Sequence, residues 1–133
     1  LIGGQLRVQG KELSTERIQK AIRQWYRDRA VDVFQRRLTM LVETLPWTKT
    51  VPDWRMIDMQ TQWGSCSPNV RITLNPQLVK APRECIDYVI LHELCHIAEH
   101  NHSERFYRLM GQVMPKWEKT KERLDGMAFF IFS

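Results

Sequence analysis

The chain has 133 residues, 43% of them hydrophobic, with 20 Lys and Arg against 15 Asp and Glu and a formal net charge of +5. That is enough apolar material for one globular core without disulfide or metal staples. Three widely spaced cysteines, Cys66, Cys85 and Cys95, with no CxxC pair, exclude a disulfide framework and a cysteine-based zinc ribbon.

Free thiols fit a reducing, cytoplasmic compartment. No run reaches the ~18 apolar residues of a membrane span, so no membrane partner is expected. The first residue is Leu1 rather than Met. The expectation is therefore that residues 1–133 form one domain, the C-terminal part of a longer protein. The positive charge suits nucleic acid or anionic substrates, although a solvated basic face is its commoner origin.

In chain order, residues 1–13 alternate weakly and could end a strand from a preceding segment. Ser14 has the side chain of an N-cap and Glu16 suits a first turn, which starts a helix. Apolar residues from Ile18 to Leu45 recur at three- and four-residue steps, predicting one long amphipathic helix that ends before Pro46. Its other face carries Arg17, Lys20, Arg23, Arg27, Arg29, Arg36 and Arg37: either a solvated surface or an anion-binding stripe over 17–37. A loop spans 46–53. Trp54–Gln62 alternates and reads as a strand, 64–69 as a turn, and Val70–Leu74 as a second strand, the two pairing as a hairpin. Pro82 sits as a first-turn proline before a helix through Cys85, Leu91, Leu94 and Ala98, with Asn101 as a left-handed terminus. Ser103 caps a further helix running to Pro115, and a last helix runs from Trp117 to Leu124, ending at Gly126.

The chemistry concentrates in His92-Glu93-Leu94-Cys95-His96, an HExxH pattern that a chain of this length would contain by chance roughly 0.004 times. Residues four apart on a helix lie ~40° apart in azimuth and ~6 Å along the axis. Two imidazoles can thus converge on one metal ion, while Glu93 leans over the open coordination position as general base. Zn2+ with three protein ligands and one water is the catalytic arrangement, and it draws the water's pKa towards ~7. Leu94, 160–200° away by helical geometry, is free to pack inward.

The third ligand must come from outside this helix, and only His100 and His102 remain. His102 stands where the chain can turn back, so it is the expected ligand, and His100 an exposed or supporting residue. Cys95 is expected in the core. Cys66 has no histidine base nearby in sequence, which disfavours a cysteine nucleophile. Asp87, Glu99 and Glu104 are candidates to orient the histidines.

Thr61-Gln62-Trp63-Gly64-Ser65-Cys66-Ser67, Ile72-Thr73-Leu74-Asn75, Ala81-Pro82, Ile86-Asp87-Tyr88-Val89, the HExxH, and His102-Ser103-Glu104-Arg105-Phe106 together resemble the YgjP-like metallopeptidase family, itself similar to SprT-like and WLM zinc peptidases. The likeness is dense from Gln60 to Asp125. It implies an α+β fold: a minimal zincin-like core with a long backing helix, a small β-sheet or hairpin, and an HExxH active-site helix followed by C-terminal helices. It also implies His92, His96 and His102 as zinc ligands and Glu93 as base. One departure is Gln62, where relatives often carry a basic residue, which leaves substrate preference open at that position.

A zinc-dependent metallopeptidase acting on protein or peptide substrates is therefore the first expectation. A nucleotide phosphoanhydride hydrolase using the arginine-rich surface to hold phosphates is the second. A nucleic-acid-associated zincin module is the third, and Glu93 argues against it, because a structural zinc site needs no general base.

Overall fold

The computed structural model describes residues 14–132. Helix α1 (Thr15–Val42) begins where Ser14, in extended backbone, accepts a hydrogen bond from Arg17 N at 3.2 Å. It ends three residues short of the expected Leu45. Only its second half enters the core, through Ala30, Phe34, Leu38 and Val42, one turn apart each time. Ile22, in the first half, is exposed, so the stripe is amphipathic by sequence along more of its length than it is buried.

Three short strands follow: β1 (Trp54–Met56), β2 (Gly64–Cys66) and β3 (Ile72–Leu74), in the spatial order β1-β3-β2. The expected hairpin is corrected here. The 54–62 segment contributes only its first three residues, and these pair with β3 in parallel, Trp54 opposite Ile72 and Met56 opposite Leu74. The hairpin partner of β3 is β2, antiparallel, with Gly64 opposite Leu74 and Cys66 opposite Ile72. The turn between them lies at 67–70, where Val70 takes a left-handed φ of 65°. Parallel pairing needs a longer connection than a tight turn, and residues 57–71 supply it. All of β3 is buried, as a central strand must be.

After β3, a 3-10 helix (Pro76–Lys80) is capped by Asn75, whose Oδ1 accepts from Gln77 N. Helix α2 (Arg83–Ala98) follows, with Pro82 one place outside it as N-cap. Its end also differs from expectation: Glu99 terminates it in extended backbone, and Asn101 is not left-handed. Helix α3 (Glu104–Val113) is capped by Ser103, as its sequence requires. Helix α4 (Trp117–Phe132) runs through Gly126, because Leu124 and Ile131 are buried on either side of it and outweigh the ~1 kcal/mol that an exposed mid-helix glycine costs.

The core gathers Phe34 and Leu38 of α1, Ile72 and Leu74 of β3, Leu78, Ile90 and Leu94 of α2, Phe106 and Met110 of α3, and Leu124 of α4. α2 crosses its middle, buried on most sides, which fixes the HExxH turns rigidly. Two tethers add to this. Arg37 of α1 grips Asp87 of α2 through two hydrogen bonds of 2.8 Å, and Trp47 Nε1 donates to Leu94 O at 2.9 Å. None of the described helices is long and apolar enough to cross a membrane.

Candidate metal centre

His92 and His96 occupy successive turns of α2 and face the same way, their ring centroids 5.0 Å apart. His102 comes from the short connection between α2 and α3. Its ring lies 5.1 Å from that of His92 and 4.6 Å from that of His96. Each of the three offers one nitrogen, and these nitrogens lie within 4.8 Å of one another. An ion with bonds of ~2.0–2.1 Å to imidazole in a tetrahedron needs nitrogens ~3.4 Å apart, so the trio fits a metal after small adjustment. His100 remains exposed and outside this trio, with its ring 6.3 Å from that of His96.

The hydrogen-bond partners of the imidazoles fit the same reading. His96 Nδ1 faces Glu99 O at 3.2 Å and, as donor there, leaves Nε2 with its lone pair. That Nε2 faces Nε2 of His102 at 3.0 Å, a separation that two bare lone pairs tolerate only with a proton or cation shared between them. Burial, followed by the charges of His96 and His102, holds His92 down at about pKa 4, and burial chiefly lowers His96. Both are therefore neutral, as ligands must be, at neutral pH. The orienting group on His96 is thus the backbone carbonyl of Glu99. The side chain of Glu99 pairs with Arg105 at 3.7 Å, and Asp87 is engaged by Arg37.

Glu93 points into the same place from the helix interior. It is 5% exposed, and its Oε2 lies 3.4 Å from His92 Nδ1. Burial pushes its carboxyl up to about pKa 8. A carboxyl so little solvated holds its proton more tightly than an exposed one and exchanges it near neutral pH, and an adjacent cation would restore its charge.

Phe106 is the residue packed against the cluster that the spacing arguments did not single out. Fully buried, it lies under all three imidazoles: stacked on His96 at 4.4 Å, and edge-on to His92 and His102 at 5.0 Å each. The signal in the sequence was Ser103 as N-cap: its Oγ accepts from Phe106 N, so the first turn of α3, which carries Phe106, starts beside His102.

In front of the histidines lies a cleft of about 330 Å³. Its walls are Gln62, Trp63 and Gly64 on one side, Tyr88 and Tyr107 on another, and Lys121 with Asp125 on α4. Gly64 suits the close approach there: a Cβ would meet Thr73 O at 3.1 Å and Val89 Cγ1 at 3.2 Å, tighter than ordinary contact. Lys121 is the cation of this lining, and Asp125 holds it at 2.7 Å. No α1 arginine lines the cleft, so the phosphate-holding role considered for that helix finds no support at the metal cluster. Cys95 is buried in the core, as expected, and Cys66 is half-buried with its thiol raised to about pKa 11 by burial and by Glu93, which removes it as a nucleophile.

The profile of the YgjP-like metallopeptidase domain matches residues 2–127. Two solved structures share the fold. The metallopeptidase zymogen abylysin of Pyrococcus abyssi is 22% identical, with a TM-score of 0.54, over 71% of this chain and 90% of that one. The metallopeptidase zymogen jannalysin of Methanocaldococcus jannaschii is 20% identical, with a TM-score of 0.53, over 73% and 94%. Among curated proteins none matches.

Proposed function

The chain belongs to the YgjP-like metallopeptidase family, and on that premise we propose that it is a zinc-dependent peptidase with His92, His96 and His102 as ligands and Glu93 as general base. The observation that carries this is the convergence of three imidazole nitrogens beside one buried, otherwise unexplained carboxylate. Bound zinc would supply Lewis acidity towards a substrate carbonyl and a water molecule. Glu93 Oε2 then accepts the proton of the attacking water and returns it to the departing amine. Burial of Glu93 keeps its affinity for that proton close to what both transfers need. The walls of the cleft, with Trp63, Tyr88 and Tyr107, hold an extended polypeptide against the site and exclude bulk water from one side of it.

The test pairs two variants. His92→Ala is expected to lose bound metal and hydrolysis of unfolded protein together. Glu93→Gln is expected to keep the metal, measured by elemental analysis, while turnover falls about 10²–10⁴-fold. Full turnover in Glu93→Gln would remove the general-base assignment. Hydrolysis of nucleoside triphosphates without hydrolysis of peptides would remove the peptidase reading.

A further inference from the structure

The first half of α1, which stands clear of the core, borders two adjoining grooves of about 290 and 730 Å³. Lys20, Arg23 and Arg27 reach the first of these from one face of the helix, three and four residues apart, and Lys80 enters from the 3-10 helix. Asp58 is the one acid among the described residues that line it, so among these, four cations face one carboxylate. Arg27 engages Asp58 at 3.5 Å, and Lys80 lies over the ring of Tyr26 at 5.0 Å. Among the described residues, neither Lys20 nor Arg23 has an acidic partner.

The second groove adjoins the catalytic cleft. Met59, Gln60 and Phe132 line it, and Gln62 and Trp63 line the cleft. Two residues of chain, at most ~7 Å, separate Gln60 from Gln62. Phe132 stacks on Trp63 with ring centroids 4.4 Å apart, so this aromatic pair is a ridge common to both depressions. A polypeptide that lies in the cleft and passes the ridge arrives over Arg23 and Lys80, which line both grooves.

We propose that this groove is an exosite that binds acidic residues of the polypeptide substrate on one side of the scissile bond. The proposal rests on the peptidase reading and adds the substrate's charge to it. Carboxylates would meet unpaired guanidinium and ammonium groups, and the carboxamides of Gln60 and Gln77 offer donors and acceptors to a peptide backbone. A nucleic acid fits less well. Further along α1 two of the three cations are engaged internally, Arg36 by Asp32 and Arg37 by Asp87, and Arg29 alone is left without an acidic partner among the described residues, so the positive patch thins out along the helix and offers a phosphate backbone fewer free cations to follow.

The test uses the whole chain. Fluorescent peptides of one length, rich in Glu, Gln or Lys on one flank, are titrated by anisotropy against Glu93→Gln, which binds without cleaving. The Glu-flanked peptide is expected to bind about tenfold more tightly than the Gln-flanked one at low salt, with the advantage fading as salt rises. Arg23→Glu combined with Lys80→Glu, and separately Lys20→Glu, should abolish that preference while the thermal midpoint and far-UV dichroism stay those of the parent. Equal affinities, or a preference that survives both variants, would overturn the proposal. So would tighter binding of an oligonucleotide of equal charge through the same residues. In turnover by the unmodified chain, the acidic flank should lower KM and leave kcat similar. Peptides cleaved without any such preference sink the exosite alone, whereas acidic peptides bound but never cleaved sink the peptidase reading and leave the exosite standing.

Discussion

Phe106 lies under His96 with its ring 4.4 Å away and 27° from parallel, so the imidazole that completes the HExxH rests on a side chain from the next helix. Packing of this kind locks the rotamer of a ligand. Phe106→Leu keeps most of the apolar volume and loses the flat support. It is expected to weaken metal affinity about 10–100-fold, as loss of ligand-orienting partners typically does. Competition with a chromophoric chelator measures this. Phe106→Ala should in addition cost about 3–5 kcal/mol of stability in urea.

Glu93 makes a prediction for the metal-free protein. Its carboxyl rises from 4.5 to about 8 in the folded chain. A raised pKa contributes stability that is complete below pH 4.5 and is lost as pH climbs towards 8. Glu93→Gln has no such loss. Chelator-treated Glu93→Gln should therefore melt above the chelator-treated parent by a margin that widens between pH 5 and 8. A margin independent of pH would show that burial does not govern this carboxyl.

Arg37 and Asp87 are each about 15% exposed and meet through two parallel bonds. Removing one partner strands the other charge at the α1–α2 contact. Arg37→Met alone is expected to destabilise by about 2–3 kcal/mol, somewhat less than a fully buried pair. Combined with Asp87→Leu it should destabilise less than Arg37→Met alone. Chemical denaturation of the two singles and the double gives the coupling.

Asn75 is fully buried, and its Nδ2 donates to Met59 O at 2.8 Å and Gln62 O at 3.0 Å. It thereby pins the loop that presents Trp63 to the cleft. Asn75→Ala removes its hydrogen bonds to two carbonyls and the Gln77 N–H, at about 1–3 kcal/mol in all because water reaches some of these part-buried partners. Asn75→Asp keeps the acceptor for Gln77 and loses the donors. Both should raise KM for peptide more than they lower kcat, because the cleft wall shifts while α2 stays in place.

What could be read without coordinates was the local part of this design. The HExxH, the caps Ser14 and Ser103, and His102 as third candidate all depend on spacings of a few residues, and the structure brings those residues together. The sheet was misread because its strands have three residues each, too few to establish a period of two, and because β1–β3 pairing joins segments far apart in sequence. Gly64–Cys66 has turn composition, yet Gly64 is there for a close approach to β3 and α2 rather than for a turn. α2 runs through Ala98 as read, but its left-handed terminus at Asn101 was misread: Glu99 leaves the helix in extended backbone and its carbonyl meets His96, a contact no local pattern announces. Asn75 read as a strand breaker, and nothing local reveals that its amide spans to Met59 and Gln62.

The strand order β1-β3-β2 also sets how much chain each pairing must close. Joining β2 to β3 closes only residues 67–71, a microsecond-scale event for a hairpin, whereas joining β1 to β3 must first close residues 57–71. Strands of three residues make such a hairpin marginal alone, so it depends on the cover that α2 gives it. Gly64, at the start of that hairpin, approaches Val89 of α2, so one close contact joins the cleft wall to the helix that carries His92 and Glu93.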